Sequence, residues 1–238
     1  FLAEYEATGK LLESAVDIIL ELATSKDEEI AAIGTQAYHP GLLGPLGNSL
    51  TEQGYSTLQK IIARAFVRVA QTEGGKPVQE QLETFELENV EALETRLEKL
   101  SATRPFEVAR REQVKKVILF SRIALGGDVV TNAQAIGLFL RIFPNADIVL
   151  FGNEKALSSL FAGEKRVRVR NHAYPRSGRM TERFSKWPEA VAAVADELAE
   201  VSDGDDYVIV SLGSRITEGG VVPVISPKEE AAHYYYWD

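Results

Sequence analysis

The chain contains no cysteine, which removes disulfides, thiolate nucleophiles and thiolate-held metals at one stroke. Histidine is nearly as scarce: His39, His172 and His233 are the only three, and they share no ligand spacing, so no metal is assigned. No apolar run reaches the roughly 18 residues a membrane-crossing helix needs, and no basic-then-apolar leader opens the chain. The expectation is a protein without a membrane span, placed in the cytoplasm. A concentrated basic face is also missing. Against a net charge of −9, residues 1–110 carry 10 basic and 18 acidic groups and residues 111–238 carry 16 and 17, so nucleic acid is not an expected partner. The three-glycine dinucleotide fingerprint, the Walker loop and the Gly-x-Ser-x-Gly elbow are all absent, which disfavours NAD or ATP enzymes and serine hydrolases.

What the chain does have is a change of hydrophobic period near its middle. Leu11, Leu12, Ala15, Val16, Ile19, Leu20 and Leu22 recur at helical spacing and predict a helix over Phe1–Thr24. Asp27 is placed to cap a second helix, with Glu28 and Glu29 in its favourable first turn. That helix is expected to stop before His39–Asn48, where two prolines and three glycines stand. Helical spacing resumes over Tyr55–Gln71, breaks at Gly74-Gly75-Lys76-Pro77, and returns over Asn89–Leu100.

From Lys115 the pattern becomes short, continuously apolar runs alternating with helical stretches. Val117–Phe120 reads as a strand buried on both faces, and Ile148–Phe151, Val167–Val169 and Tyr207–Val210 read as the second, third and fourth strands. Helices are expected over Thr131–Phe143, Lys155–Phe161 and Pro188–Glu200, and Val221–Ile225 reads as a further strand. The fold class that follows is α/β: a Rossmann-like parallel sheet with flanking helices over residues 111–238, preceded by an all-α segment over residues 1–110.

Ligands of such sheets sit at the carboxyl ends of the strands. In the first of these turns, Arg122, Gly126, Gly127 and Asp128 precede a helix. Glycine lets the backbone turn sharply and approach a ligand, and helix amides attract anions. Asp128 reads either as a helix N-cap or as a general base. After the third strand, His172, Arg176 and Arg179 stand in a stretch that is either a plain surface loop or a dock for an anionic acceptor, to which its ring and guanidinium groups are suited. After the fourth, Ser214 and Arg215 stand in Ser211–Gly220, which is either a polar-ligand clamp with Glu218 or a plain turn. Between Lys165 and Lys186 eight basic residues are opposed only by Glu182. This stretch is either a solvated strand and loop or a surface for phosphate.

Three stretches, Val117–Arg122, Leu125–Val130 and Phe143–Leu150, together resemble the N-terminal domain of heptosyltransferase-like glycosyltransferases, enzymes of the glycosyltransferase B architecture with two Rossmann-like domains. The resemblance covers roughly Val117–Gly213. It implies transfer of a sugar from a nucleotide-sugar donor to a hydroxyl acceptor, with Asp128 at the position of the catalytic base and no cofactor beyond the donor. Because the donor is bound mainly by the second domain, the chain is expected to be the acceptor-side part of a longer protein. The substrate-binding candidates are Arg122, Gly126, Gly127, His172, Arg176, Arg179, Ser214 and Arg215, and the expected partner is a small sugar or phosphorylated acceptor. A non-catalytic Rossmann-like module for an anionic ligand or a protein partner is the alternative. The aromatic run His233–Trp237 fits a strand edge, a homo-oligomer contact or a cut before a missing C-terminal domain.

Overall fold

The computed structural model describes the chain apart from residues 1–4, 6, 7, 9, 50, 103, 104, 122–126, 173, 176, 177, 237 and 238, with backbone alone at 127–129 and 156. It forms two compact units: Phe1–Thr95 with Pro175–Pro188, and Arg96–Tyr174 with Glu189–Asp238. The sequence reading drew a single line near residue 110. Packing draws it between Thr95 and Arg96 and lends a later segment to the first unit.

The first unit is helical. Helix α1 is Glu13–Ala23 and α2 is Glu28–Gln36. Asp27 caps α2 as the sequence predicts, its Oδ1 accepting from the backbone N–H of Glu29 and Ile30. Gly34 permits the two helices to touch: a Cβ there would lie 2.1 Å from the backbone N of Ala23. The expected stop at His39 does not occur. A π-helical segment, Ala37–Leu43, carries Pro40 inside it and runs into α3, Gly44–Asn48. Proline removes an i→i−4 bond and pushes on a carbonyl one turn back; the wider π turn accommodates both effects. Pro45 sits in the first turn of α3, where its missing N–H costs nothing.

Next come α4 (Glu52–Ala70), α5 (Lys76–Thr84), which opens with Pro77 in its first turn where the sequence showed only a break, and α6 (Val90–Ser101). The core of this unit includes Tyr38, Leu42, Ile61, Phe66, Val69 and Leu82. The lent segment completes it. Phe184 stacks on Phe66 at 4.3 Å between ring centres, and Trp187 meets the same ring edge-on at 5.5 Å.

The second unit is the α/β fold: β1 (Val114–Phe120), α7 (Gly127–Ile142), β2 (Asp147–Gly152), α8 (Glu154–Phe161) and β3 (Val167–Asn171). Then follow α9 (Met180–Phe184, in the first unit), α10 (Lys186–Leu198), β4 (Asp206–Ser211), α11 (Pro227–His233) and β5 (Tyr234–Tyr236). All pairings are parallel, in the order β3-β2-β1-β4-β5. Alternate side chains build two cores. Val117, Leu119, Ile148, Leu150, Val208 and Val210 pack with Ala135, Ile136 and Phe139 of α7 and with Phe143 just past its end. Ile118, Phe120, Val149, Phe151 and Ile209 pack with Ala190 and Val194 of α10.

One predicted strand is corrected. Val221–Ile225 is a buried loop, and the fifth strand is Tyr234–Tyr236. Left-handed backbone at Glu218, Gly219 and Gly220 turns the chain away from the sheet, and the carbonyls of Gly220 and Val221 bond to the Arg96 guanidinium rather than to a strand. Among the described residues, no helix is long and apolar enough to cross a membrane.

Candidate functional site

The strand order makes one location special. From β1 the chain moves outward to β2 and β3, then returns across β1 to β4 on its other side. The connections leaving β1 and β4 therefore diverge, and the carboxyl ends of this strand pair are where sheets of this order seat their ligands.

Strand β1 is followed by Ser121, a nearly solvent-free residue whose N–H donates to the carbonyl of Phe151 at 3.0 Å. By alternation its hydroxyl lies on the same side of the sheet as Val117 and Leu119, the side that α7 covers. Gly152, at the end of the neighbouring β2, leaves room for that hydroxyl: a Cβ there would stand 2.5 Å from Ser121 Oγ and 2.6 Å from Leu157 Cδ1.

Helix α7 begins at Gly127, with position 128 second in the helix. Position 128 is thus inside the first turn and not at the cap position, which precedes Gly127; Arg122 and Gly126 lie outside the described residues, as does the side chain of Asp128. The stripe of α7 that faces the sheet is Asn132, Ala135, Ile136 and Phe139, continued by Phe143 just past the helix, all nearly free of solvent. Asn132 is the exception in chemistry. It is 0 % exposed, and among the described residues neither its Oδ1 nor its Nδ2 has a hydrogen-bond partner.

The end of β4 is built differently, because its polar groups bond to one another. Ser211 Oγ and Thr217 Oγ1 are 3.1 Å apart. Ser214 is fully buried and caps the short turn Arg215–Thr217, accepting from the N–H of Ile216 at 3.2 Å. Glu218 takes a left-handed backbone, φ 44°, and is also buried. Its carboxylate accepts from the Tyr174 hydroxyl, and Arg215 Nη1 lies 3.7 Å from its second oxygen. Arg215 itself is half-exposed. Of the two readings of this loop, the clamp is thus turned inward: Glu218 ties the segment after β3 to the segment after β4.

At the end of β3, Asn171 Oδ1 accepts from the N–H that opens α8, at 3.3 Å, and the backbone N–H of His172 donates to Gly152 O at 2.9 Å. The His172 ring lies 6.5 Å from that of Phe151. Arg176 lies outside the described residues. Arg179 belongs to the helical unit, where its guanidinium donates to the carbonyl of Ser25 at 2.7 Å. Gly127 and Ser214 therefore stand at the ends of adjacent strands, whereas Arg179 is assigned elsewhere.

The basic run from Lys165 is occupied by the fold at its strand end. Arg166 donates to the carbonyls of Leu140, Phe143 and Pro144 behind α7. Arg168 and Arg170 both bond to Glu197, a carboxylate with no exposed side-chain surface, and Lys116 lies 3.4 Å from it. Lys116 also reaches Glu200 at 2.7 Å, and that hydrogen bond holds the Glu200 carboxyl below its ordinary value. Arg168 and Arg170 thereby join β3 to α10.

Sequence reasoning passed over Asn132; Ser121 and Tyr174 fall in the strand-end stretches it singles out, without a role of their own. For Asn132 a signal existed in its place on the apolar stripe of a predicted helix. Among the described residues, no group of His, Cys, Asp or Glu is arranged to hold a metal ion. Comparison with family models, curated proteins and solved structures finds no match to this chain.

Proposed function

We propose that this chain is the acceptor-side part of a glycosyltransferase of the B architecture, moving a sugar from a nucleotide-sugar donor to a hydroxyl acceptor. One observation carries the reading. The Gly127-Asp128 pair opens α7 at the carboxyl end of β1, beside β4, in an all-parallel sheet whose order reverses there. A carboxylate at that point is suited to general-base work. As the acceptor oxygen forms its bond to the anomeric carbon, the bond from that carbon to the donor's phosphate oxygen breaks. The acceptor proton passes to Asp128, a step that typically contributes about 10²- to 10⁴-fold. Arg122 and Arg176 are the candidate contacts to a charged acceptor, with the first-turn amides of α7. Arg179 is not enlisted, because its guanidinium is on Ser25.

A second reading, a non-catalytic ligand-binding module, is favoured by the closed bonding of Ser211, Ser214 and Thr217, whose hydroxyls serve the protein itself. Asp128→Asn separates the two. In a chain that includes a donor-binding domain, this variant is expected to lose transfer at least 100-fold while its melting temperature and acceptor affinity stay near wild type. Unchanged turnover would remove the base role from Asp128 and leave the second reading.

A further inference from the structure

We propose that Asn132 is a sugar-reading residue: its carboxamide takes two adjacent hydroxyls of a ligand seated at the amino end of α7, one donating to Oδ1 and the other accepting from Nδ2. The inference rests on the reading that a sugar acceptor sits at the strand ends beside α7. It adds the residue that selects the acceptor's diol.

Three observations support it. First, the side chain is 0 % exposed with both polar atoms unpartnered among the described residues. A buried amide in that condition destabilises the fold, and an apolar residue of the same shape removes the penalty. Second, the amide has a direction. Asn132 continues the sheet-facing stripe of Ala135, Ile136 and Phe139 toward the helix start, and side chains on a helix lean toward its amino end. It lies five residues after Gly127, or about 7.5 Å along the axis, and one turn after position 128. The amide is thus aimed at the first turn of α7 and the end of β1, where the Ser121 hydroxyl sits above Gly152. Third, the chemistry narrows the ligand. Oδ1 needs a donor, which a bare phosphate or carboxylate lacks, and Nδ2 needs an acceptor on the same side. Two neighbouring hydroxyls on a sugar ring supply both. The amide is sealed from solvent in this state, so the sugar enters only after local opening at this end of the sheet.

The test uses the full chain labelled with ¹⁵N and the methyl α-glycosides of glucose, mannose and galactose, whose vicinal diols differ, with inorganic phosphate as the anion alone. The Asn132 side-chain NH2 signal, identified by its loss in Asn132→Leu, is expected to shift with at least one glycoside and not with phosphate. Asn132→Leu should weaken that glycoside's binding at least tenfold and raise the melting temperature by about 2–4 °C. Asn132→Ala repeats the binding measurement if leucine overpacks the site. Failure of all three glycosides to move the signal overturns the proposal. So does a lower melting temperature in Asn132→Leu, which would mean the amide is already satisfied inside the protein. Turnover of Asp128→Asn is a separate readout: its loss with an unmoved Asn132 signal sinks only this inference, whereas a shifted signal with wild-type turnover sinks only the catalytic reading.

Discussion

Removing Arg96 is expected to be one of the most damaging single changes in the α/β unit. Its guanidinium is buried and makes four hydrogen bonds: to both Glu230 oxygens, and to the carbonyls of Gly220 and Val221 at 2.7 and 2.9 Å. It also lies 6.0 Å from the centre of the Tyr234 ring. Arg96→Met keeps much of the volume but strands the Glu230 carboxylate, 5 % exposed, without its cation. Breaking a buried pair from one side costs about 3–5 kcal/mol. The two carbonyls lose a charged donor as well, which favours the upper half of that range. At roughly 2–4 °C per kcal/mol for a chain of this size, the melting temperature should fall by about 10 °C or more. The double variant Arg96→Met/Glu230→Leu should recover at least half of the loss, because an apolar pair needs no charge compensation. Urea unfolding of wild type, both single variants and the double variant gives the coupling directly. A loss below about 1 kcal/mol in Arg96→Met, or a double variant weaker than either single one, would refute the argument that the pair is an obligatory unit.

Acid should weaken the same unit at Asp206. Burial alone would raise that carboxyl, but hydrogen bonds from Arg110 at 2.7 and 2.8 Å and from the N–H of Tyr207 outweigh it and hold the group below its ordinary value. A depressed folded value means stability that is present above the unfolded value of 3.8 and is lost as pH falls through the folded one. Asp206→Asn should therefore flatten the acid limb of a urea-midpoint profile below about pH 4, and limbs of equal slope would contradict the assignment. In the helical unit, Gly34→Ala places a methyl 2.1 Å from the Ala23 nitrogen and 2.4 Å from the Leu22 carbonyl carbon, both backbone atoms. The helices must part, at a cost of about 1–3 kcal/mol despite alanine's better helix propensity. A thermal melt at or above the wild-type temperature would show that α1 and α2 have slack.

Much of the α/β unit is legible because burial on both faces leaves a one-dimensional trace. Val117–Phe120 and Ile148–Phe151 are apolar at every position, and both are central strands of the sheet. The same rule misreads Val221–Ile225, which is apolar for a different reason: it is a buried loop, and the carbonyls of Gly220 and Val221 at its start bond to one guanidinium from 124 and 125 residues away. Composition reports burial, not hydrogen-bond partners, and the partner here comes from a distant helix. Pro40 and Pro45 fail in the opposite sense. Proline excludes the regular α-helix but not a π turn or a helix start, so the break it predicts is a change of winding. The excursion Pro175–Pro188 has no trace at all, because Phe184 and Trp187 show nothing in sequence about which of two cores they fill.

The candidate site divides along the same line. A glycine-aspartate pair between a buried strand and a helix is a local pattern, so Gly127 and Asp128 could be picked out without a structure. The arginines could not be sorted in that way. Arg168, Arg170 and Arg179 look alike in sequence, yet two close a buried carboxylate and the third caps a carbonyl in another unit. Whether a charge is available to a ligand depends on what the fold has already placed within about 4 Å of it. Asn132 inverts the problem. An asparagine on the apolar stripe of a helix is conspicuous only when the stripe is known to face a sheet, and its bonding state appears only with the neighbours in place. A buried amide without a partner opposes folding. Its physical sense lies in a ligand that supplies the missing donor and acceptor.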